Sequence, residues 1–157
     1  MIQSKRPRRG VAAILTGVSG EYFVAAELSR MGYIASITLR NTKGVDILAS
    51  SADGARSAGI QVKTNRGSRR AWVLNRKAEE YQAPNLFYVF VNLNGGQPPD
   101  FYIVPSKMVA TQVSTGHAKW LATPGRRGQP HKDNPMRMFG DKENRWLGRW
   151  EVLGLGD

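Results

Sequence analysis

The spacing of polar side chains in two short apolar segments constrains the fold of this chain more than any other feature. Asp46 stands between apolar neighbours in the run GVDIL, and Gln61 and Lys63 alternate with apolar residues in the run IQVKT. In a β-strand, successive side chains point to opposite faces. The polar stretch between the two runs contains Asp53-Gly54, which is typical of a hairpin turn. The sequence therefore predicts a hairpin that gathers Asp46, Gln61 and Lys63 on one polar patch.

The rest of the chain predicts an α/β domain in which helices pack on a mixed central sheet. The first helix is predicted over residues 17–31, with Ser19 as its N-cap and Gly32 just after its end. A strand ending near Arg40 follows this helix. Further strands are predicted at 45–49, 60–64, 72–74, 86–93 and 101–104. Further helices are predicted at 75–81, capped by Asn75, and at 106–116, capped by Ser106. A last helix is predicted at 141–153, with a strand over 149–153 as the alternative.

The charge of the chain favours a polyanionic partner. The 157 residues fit one domain, carry a formal net charge of +11 and include no cysteine. Such an excess of Lys and Arg favours nucleic acid, with a solvated basic surface and an anionic membrane surface as the alternatives. The apolar run VAAILTGV is too short to span a bilayer, and the lack of cysteine fits a reducing cytoplasm. Basic residues concentrate in a flexible arm predicted at 1–10 and a long basic loop predicted at 122–140.

A carboxylate on the first predicted helix completes a candidate site. At 100° per residue, Glu21 lies within about 80° of the apolar stripe from Val24 to Met31, so it faces the sheet. Two carboxylates can hold a hard divalent cation such as Mg²⁺, which lowers the pKa of bound water and polarises a phosphoryl oxygen. The Gln61 carbonyl is a neutral oxygen ligand, and a lysine nearby orients the attacking water or stabilises the developing charge. These residue types suit phosphodiester hydrolysis, although a single Asp or Lys in a strand is more often a salt-bridge or surface residue.

The string GEYFVAAELSRMGY…KGVDILAS…GIQVKT resembles the core of the PD-(D/E)XK, or restriction-endonuclease-like, nucleases. In layout it is similar to archaeal Holliday junction resolvases. In that family a helix glutamate precedes a strand aspartate and then an acidic-x-Lys strand. Glu21 lies eleven residues before Gly32-Tyr33, as the family's helix glutamate lies before a glycine-aromatic pair, and Asp46 matches the metal-binding aspartate. The resemblance covers about residues 17–66. Two positions depart from the pattern: Val45 stands where the family name has proline, and Gln61 where Glu or Asp is usual.

The resemblance implies a restriction-endonuclease-like sheet and a DNA endonuclease that depends on Mg²⁺ or Mn²⁺ and acts as a homodimer. Glu21, Asp46 and Gln61 are the expected metal ligands, and Lys63 is expected to assist the attacking water. Because Gln61 removes one formal charge from this site, a DNA-binding module without activity is an alternative, and a nuclease acting on RNA is another. The expected DNA contacts are Arg66, Arg69 and Arg70 after the catalytic strand, and Arg126, Arg127 and Lys132 in the long basic loop.

Overall fold

The computed structural model describes residues 9–39 and 44–156 of the chain. No helix within these two ranges combines the length and apolar character needed to cross a bilayer. The α-helices are α1 (Arg9–Arg30) and α2 (Ser106–Ala122). The strands are β1 (Ile34–Ile37), β2 (Ile47–Ser50), β3 (Ser57–Asn65), β4 (Ala71–Asn75), β5 (Leu86–Asn92), β6 (Asp100–Pro105) and β7 (Met136–Gly140). Short 3₁₀ helices cover Arg76–Glu79, Asn94–Gly96 and Trp150–Leu153.

Five strands form a mixed sheet in the order β1-β2-β3-β5-β6. The first three are antiparallel neighbours, so β2 and β3 form the predicted hairpin, with Ile47 opposite Ile60. β5 runs parallel to β3 because the chain crosses over between them through β4 and the first 3₁₀ helix. β6 then returns antiparallel to β5. The predicted α/β class and mixed sheet are therefore confirmed, while β4 pairs with β7 in a separate two-stranded sheet.

α1 covers one face of the five-stranded sheet. Val24 and Leu28 are fully buried in the core of this face, together with Ile60 and Val62 of β3. These four side chains are the apolar partners that the helical and strand periodicities predict. Their burial fixes α1 across the hairpin and therefore determines where Glu21 lies.

The opposite face of the sheet carries a second, aromatic core. Gln61 and Lys63 are in register with Tyr88 and Phe90 of β5, so they project to this face rather than towards α1. β6, α2, the β4–β7 pair and the first 3₁₀ helix supply the other apolar residues of this core. The buried residues here are Trp72, Leu74, Ala78, Tyr88, Phe90, Tyr102, Val104, Val109, Val113 and Phe139.

The first helix begins well before its predicted start. α1 includes Arg9 and Gly10, so the flexible arm expected at 1–10 is wrong for these two residues, and residues 1–8 lie outside the described chain. Ser19 is not an N-cap, because its hydroxyl donates to the Leu15 carbonyl at 2.7 Å inside the helix. The physical reason is that the run VAAIL contains Ala and Leu, strong helix formers that extend the helix towards the N-terminus.

The second helix differs from the prediction at both ends. Ser106 does not cap α2: its buried hydroxyl donates to the Ala83 carbonyl and accepts the Ala83 N–H, both at 3.1 Å, and so ties the helix to the segment before β5. α2 also continues past the expected end at Gly116 to Ala122. A glycine inside a helix costs only about 1 kcal/mol relative to alanine, and the packed residues before it outweigh that cost.

The long basic loop predicted at 122–140 is wrong for its last five residues. Residues 136–140 form β7, which pairs antiparallel with β4 and places Phe139 opposite Trp72. The partner strand is distant in sequence, so local composition does not reveal the pairing. Arg137 of β7 is buried and forms an ion pair with Glu79, which joins this strand to the first 3₁₀ helix.

The C-terminal segment forms turns instead of the helix predicted at 141–153. The buried carboxylate of Asp141 accepts the N–H groups of Arg145 and Trp146 at 2.9 and 2.8 Å, which closes a turn. Gly148 follows with a φ of +65°, a value that interrupts a right-handed helix. Only Trp150–Leu153 becomes helical, as a 3₁₀ turn, so the alternative strand over 149–153 is wrong as well.

Gly32 ends α1 as predicted. Its φ is +87°, and the N–H of Tyr33 donates to the Leu28 carbonyl at 3.0 Å, the pattern of a glycine-terminated helix.

Alanine is expected to have opposite effects at Gly32 and Gly116. At Gly32 a side chain in the left-handed region costs about 1–2 kcal/mol. At Gly116 the space around a Cβ is open, and alanine inside a helix gains about 0.5–1 kcal/mol. Urea unfolding of the two variants measures both effects. A Gly116→Ala variant as destabilised as Gly32→Ala would contradict a helix that passes through residue 116.

Candidate functional site

Asp46 is held against β3 by two hydrogen bonds. Its N–H donates to the Ile60 carbonyl at 2.8 Å, which extends the pairing of β2 with β3. Its Oδ2 accepts the Val62 N–H at 2.7 Å. Val62 separates Gln61 from Lys63, so the carboxylate lies on the strand at the level of both side chains. A hydrogen bond to an ionised acceptor is stronger than a neutral one, and it offsets the cost of placing a carboxylate among apolar residues.

α1 brings Glu21 to the same carboxylate. Glu21 is partly buried and lines a cavity of about 320 Å³ together with Asp46, which we call the Glu21 cavity. The helix reaches this position because it lies unusually close to β3 at Gly20. A Cβ on Gly20 would overlap the Thr64 side chain, so a residue without a side chain is required there.

Gln61 and Lys63 line a second cavity of about 330 Å³, which we call the Lys63 cavity. Lys77, Tyr81 and Tyr88 also line it. The structure thus brings Asp46 together with Glu21 in one cavity and places Gln61 and Lys63 in another. The Asp46–Val62 hydrogen bond connects the two.

Tyr81 is the residue of this region that the sequence did not single out. Burial raises the pKa of its phenol, and the negative charge of Asp46 raises it further, so the two groups are electrostatically coupled. A Cβ on Gly44 would overlap the Tyr81 ring, so the chain entering β2 passes directly over it. Asn75 caps the preceding 3₁₀ helix as predicted, by accepting the Lys77 N–H at 3.2 Å. Nothing in the spacing of Tyr81 indicated that this turn would carry it to the site.

The donor set fits a hard divalent cation in part. Among residues 9–39 and 44–156, no three His, Asp or Glu side chains cluster closely enough to hold a metal by themselves. Glu21 and Asp46 supply carboxylates to one cavity, and Mg²⁺ is commonly bound by one or two carboxylates while keeping several waters. Gln61 lines the Lys63 cavity and is not among the residues that line the Glu21 cavity.

The loop after β3 presents arginines beside the site. Asn65 shapes this loop, because its side-chain amide donates to the carbonyls of Arg69 at 2.8 Å and Ala71 at 3.0 Å. Arg66 and Arg69 are exposed. Arg70 instead donates to the Lys142 carbonyl at 2.6 Å and contacts Asn144 at 3.2 Å, so its guanidinium has partners within the protein.

The second set of expected DNA contacts lies elsewhere on the chain. Arg126, Arg127 and Lys132 are exposed on the segment between α2 and β7, and they line neither the Glu21 cavity nor the Lys63 cavity.

Side-chain contacts hold that segment, residues 123–135. Trp120 stacks on the rings of His117 and His131, with centroids 5.4 and 4.1 Å apart. Asp133 lies 2.8 Å from both His117 Nε2 and the Arg76 guanidinium. The hydrogen bond with His117 lowers the pKa of Asp133, and the charge of Arg76 lowers it further. Both histidines are thus engaged in anchoring the segment.

No protein-family model, no curated protein and no solved structure matches the chain.

Gly20→Ala is expected to lower the free energy of unfolding by about 1–3 kcal/mol, the usual effect of overpacking. The added methyl group would overlap Thr64 and push α1, with Glu21, away from β3. Gly17→Ala on the same helix is the matched control, because its Cβ would meet nothing within 4 Å. The control is expected to be neutral or stabilising by up to about 1 kcal/mol. Chemical denaturation of both variants measures the difference.

A double variant identifies the contact responsible. Thr64 Oγ1 is buried and has no hydrogen-bond partner within residues 9–39 and 44–156, so Thr64→Ala removes the colliding hydroxyl without breaking a bond to any of them. Combined with Gly20→Ala, it is expected to recover most of the lost stability. If the two substitutions are instead additive, the close approach at Gly20 is not the origin of the effect.

Proposed function

We propose that the chain is a metal-dependent DNA endonuclease of the PD-(D/E)XK type, which hydrolyses phosphodiester bonds. The observation that carries this proposal is the placement of Asp46. Its carboxylate shares a cavity with Glu21 and accepts the N–H of Val62 at 2.7 Å, between Gln61 and Lys63 on β3. A helix carboxylate, a strand carboxylate and a strand lysine are the groups that metal-assisted hydrolysis of a phosphodiester uses.

Each residue has a role that its position supports. Glu21 and Asp46 would hold Mg²⁺ or Mn²⁺, which when bound lowers the pKa of water and neutralises charge on the phosphate. Lys63, on the neighbouring strand, orients the attacking water or stabilises the charge that develops on the phosphate. Gln61 offers an amide oxygen and an amide donor beside Lys63, which suits positioning of the phosphate more than binding of the cation.

The surroundings of the site support DNA as the substrate. The formal net charge is +11, and Arg66 and Arg69 are exposed on the loop that continues directly from the strand of Lys63. Arginines in this place suit bidentate contacts with phosphates. A helix followed by an antiparallel hairpin, within a mixed sheet, agrees with the fold that the resemblance implies. A homodimer that cuts both strands belongs to the same proposal.

One observation favours a second candidate, a DNA-binding module without activity. Only Glu21 and Asp46 supply carboxylates to the Glu21 cavity within the described chain, and Gln61 replaces the acidic residue that the resemblance expects. A site with less negative charge binds a divalent cation more weakly. The basic surface alone would still bind DNA.

Cleavage of supercoiled plasmid with Mg²⁺ or Mn²⁺ tests the proposal. Asp46→Asn keeps an acceptor for the Val62 N–H but removes the charge, and Lys63→Met keeps the length of the side chain. Each is expected to lower the cleavage rate by at least about 100-fold. Lys119→Met is the matched control, because Lys119 is exposed at the end of α2 and lines neither cavity.

Other results of these experiments would support one of the alternative functions or contradict the homodimer. Wild-type protein that retards DNA in a gel but cleaves it with neither metal is a binding module. Faster cleavage of RNA than of DNA in competition would replace DNA with RNA as the substrate. A mass of a single chain, measured by light scattering in buffer without DNA, would contradict the homodimer.

A further inference from the structure

The Lys63 cavity has a lining that differs from that of the Glu21 cavity. Lys63 and Lys77 are its charged lining residues, and none of the described residues that line it is a carboxylate. Gln61 and Asn75 add side-chain amides. Two ammonium groups and neutral amides are a set that binds an anion such as a phosphate group.

The wall of the same cavity is apolar and aromatic. Leu74 and Ala78 line it together with the rings of Tyr81 and Tyr88, which meet edge to face with centroids 6.0 Å apart. Such a surface suits the flat face of a nucleobase or a sugar. A pure phosphate site on a flat basic surface would not need it.

Tyr81 also has an unused hydrogen-bonding group. Its hydroxyl is buried and has no hydrogen-bond partner among the residues that the structure describes. A buried polar group left without a partner costs about 1–3 kcal/mol. A ligand in the cavity that reaches this hydroxyl would remove that cost.

We infer that the Lys63 cavity receives one unpaired nucleotide of the substrate strand, next to the phosphodiester bond that is cut. This inference rests on the proposed function, because Lys63 belongs to both. The cavity of about 330 Å³ has the size of a small-ligand pocket and accommodates one nucleotide. A base that remains paired in a duplex cannot enter it, so the substrate must expose a nucleotide at the cleavage position or extrude one. Lys77 holds the phosphate of that nucleotide, and the partly exposed ring of Tyr81 contacts its base.

Binding of thymidine 5′-monophosphate to the full chain in EDTA tests the cavity without any metal or cleavage. Isothermal titration calorimetry is expected to show this nucleotide binding at least about tenfold more tightly than inorganic phosphate or thymidine alone, since both parts of the cavity contribute. Lys77→Ala is expected to weaken nucleotide binding at least about tenfold, the effect of losing one charge-assisted hydrogen bond. Lys119→Ala is the matched control and is expected to bind as the wild type does.

Two results would overturn the inference. One is nucleotide binding no tighter than that of inorganic phosphate, which leaves only a general anion site. The other is equal binding by the Lys77→Ala and Lys119→Ala variants, provided that both melt at the wild-type temperature. Lys77→Gln, which keeps the stem of the side chain, repeats the comparison if Lys77→Ala is destabilised.

A cleavage assay separates this inference from the proposed function. With Mg²⁺ or Mn²⁺, a duplex oligonucleotide carrying a single mismatched base is expected to be cut at least about tenfold faster than the fully paired duplex, and Lys77→Ala is expected to abolish that preference. Equal cleavage of both duplexes contradicts the inference that an unpaired nucleotide enters the cavity, but it agrees with the proposed nuclease activity. Nucleotide binding without cleavage contradicts the proposed nuclease activity, but it supports a nucleotide as the ligand of the Lys63 cavity.

Discussion

The hydrogen bond from the Val62 N–H to Asp46 Oδ2 is the interaction on which the candidate site depends. It fixes a carboxylate at the point where β2 begins, and it does so on β3, a strand with paired neighbours on both sides. Asp46 is partly buried, and a strong hydrogen-bond partner fixes the position of such a carboxylate. The backbone of β3 is that partner, so the position of Asp46 follows from the sheet itself rather than from a loop.

β3 also explains why the site has two parts. Its apolar side chains face α1 and its polar side chains, Gln61 and Lys63, face the aromatic core, because a strand alternates direction. Glu21 arrives from the α1 side and meets Asp46 there. The charge of Asp46 nevertheless reaches Tyr81 on the other side. The cation and the phosphate that we propose would therefore occupy adjoining spaces, with one carboxylate between them.

The parts of the fold that follow from local periodicity were predictable, and those that follow from distant pairing were not. The hairpin came from alternation in two short runs, and the end of α1 came from Gly32. β7 was missed because it ends a stretch rich in Pro, Gly and Arg, and because its partner β4 lies far away in the sequence. The apolar spacing near the C-terminus imitated a helix, yet the carboxylate of Asp141 uses the neighbouring N–H groups to close a turn.

The same division applies to the candidate site. Asp46 and Glu21 were found because each is a carboxylate on an apolar pattern, and the structure places both in one cavity. Tyr81 carried no such signal, since a 3₁₀ turn and the close approach of Gly44 decide its place.

The way in which residues 123–135 are held has a further consequence. This segment is anchored by ring stacking on Trp120 and by the contacts of Asp133. We therefore expect its amide protons to exchange with solvent through local opening, and those of β3 to exchange only through global unfolding. If DNA is the substrate, as we propose, residues 123–135 would adjust to its phosphate backbone without disturbing either sheet.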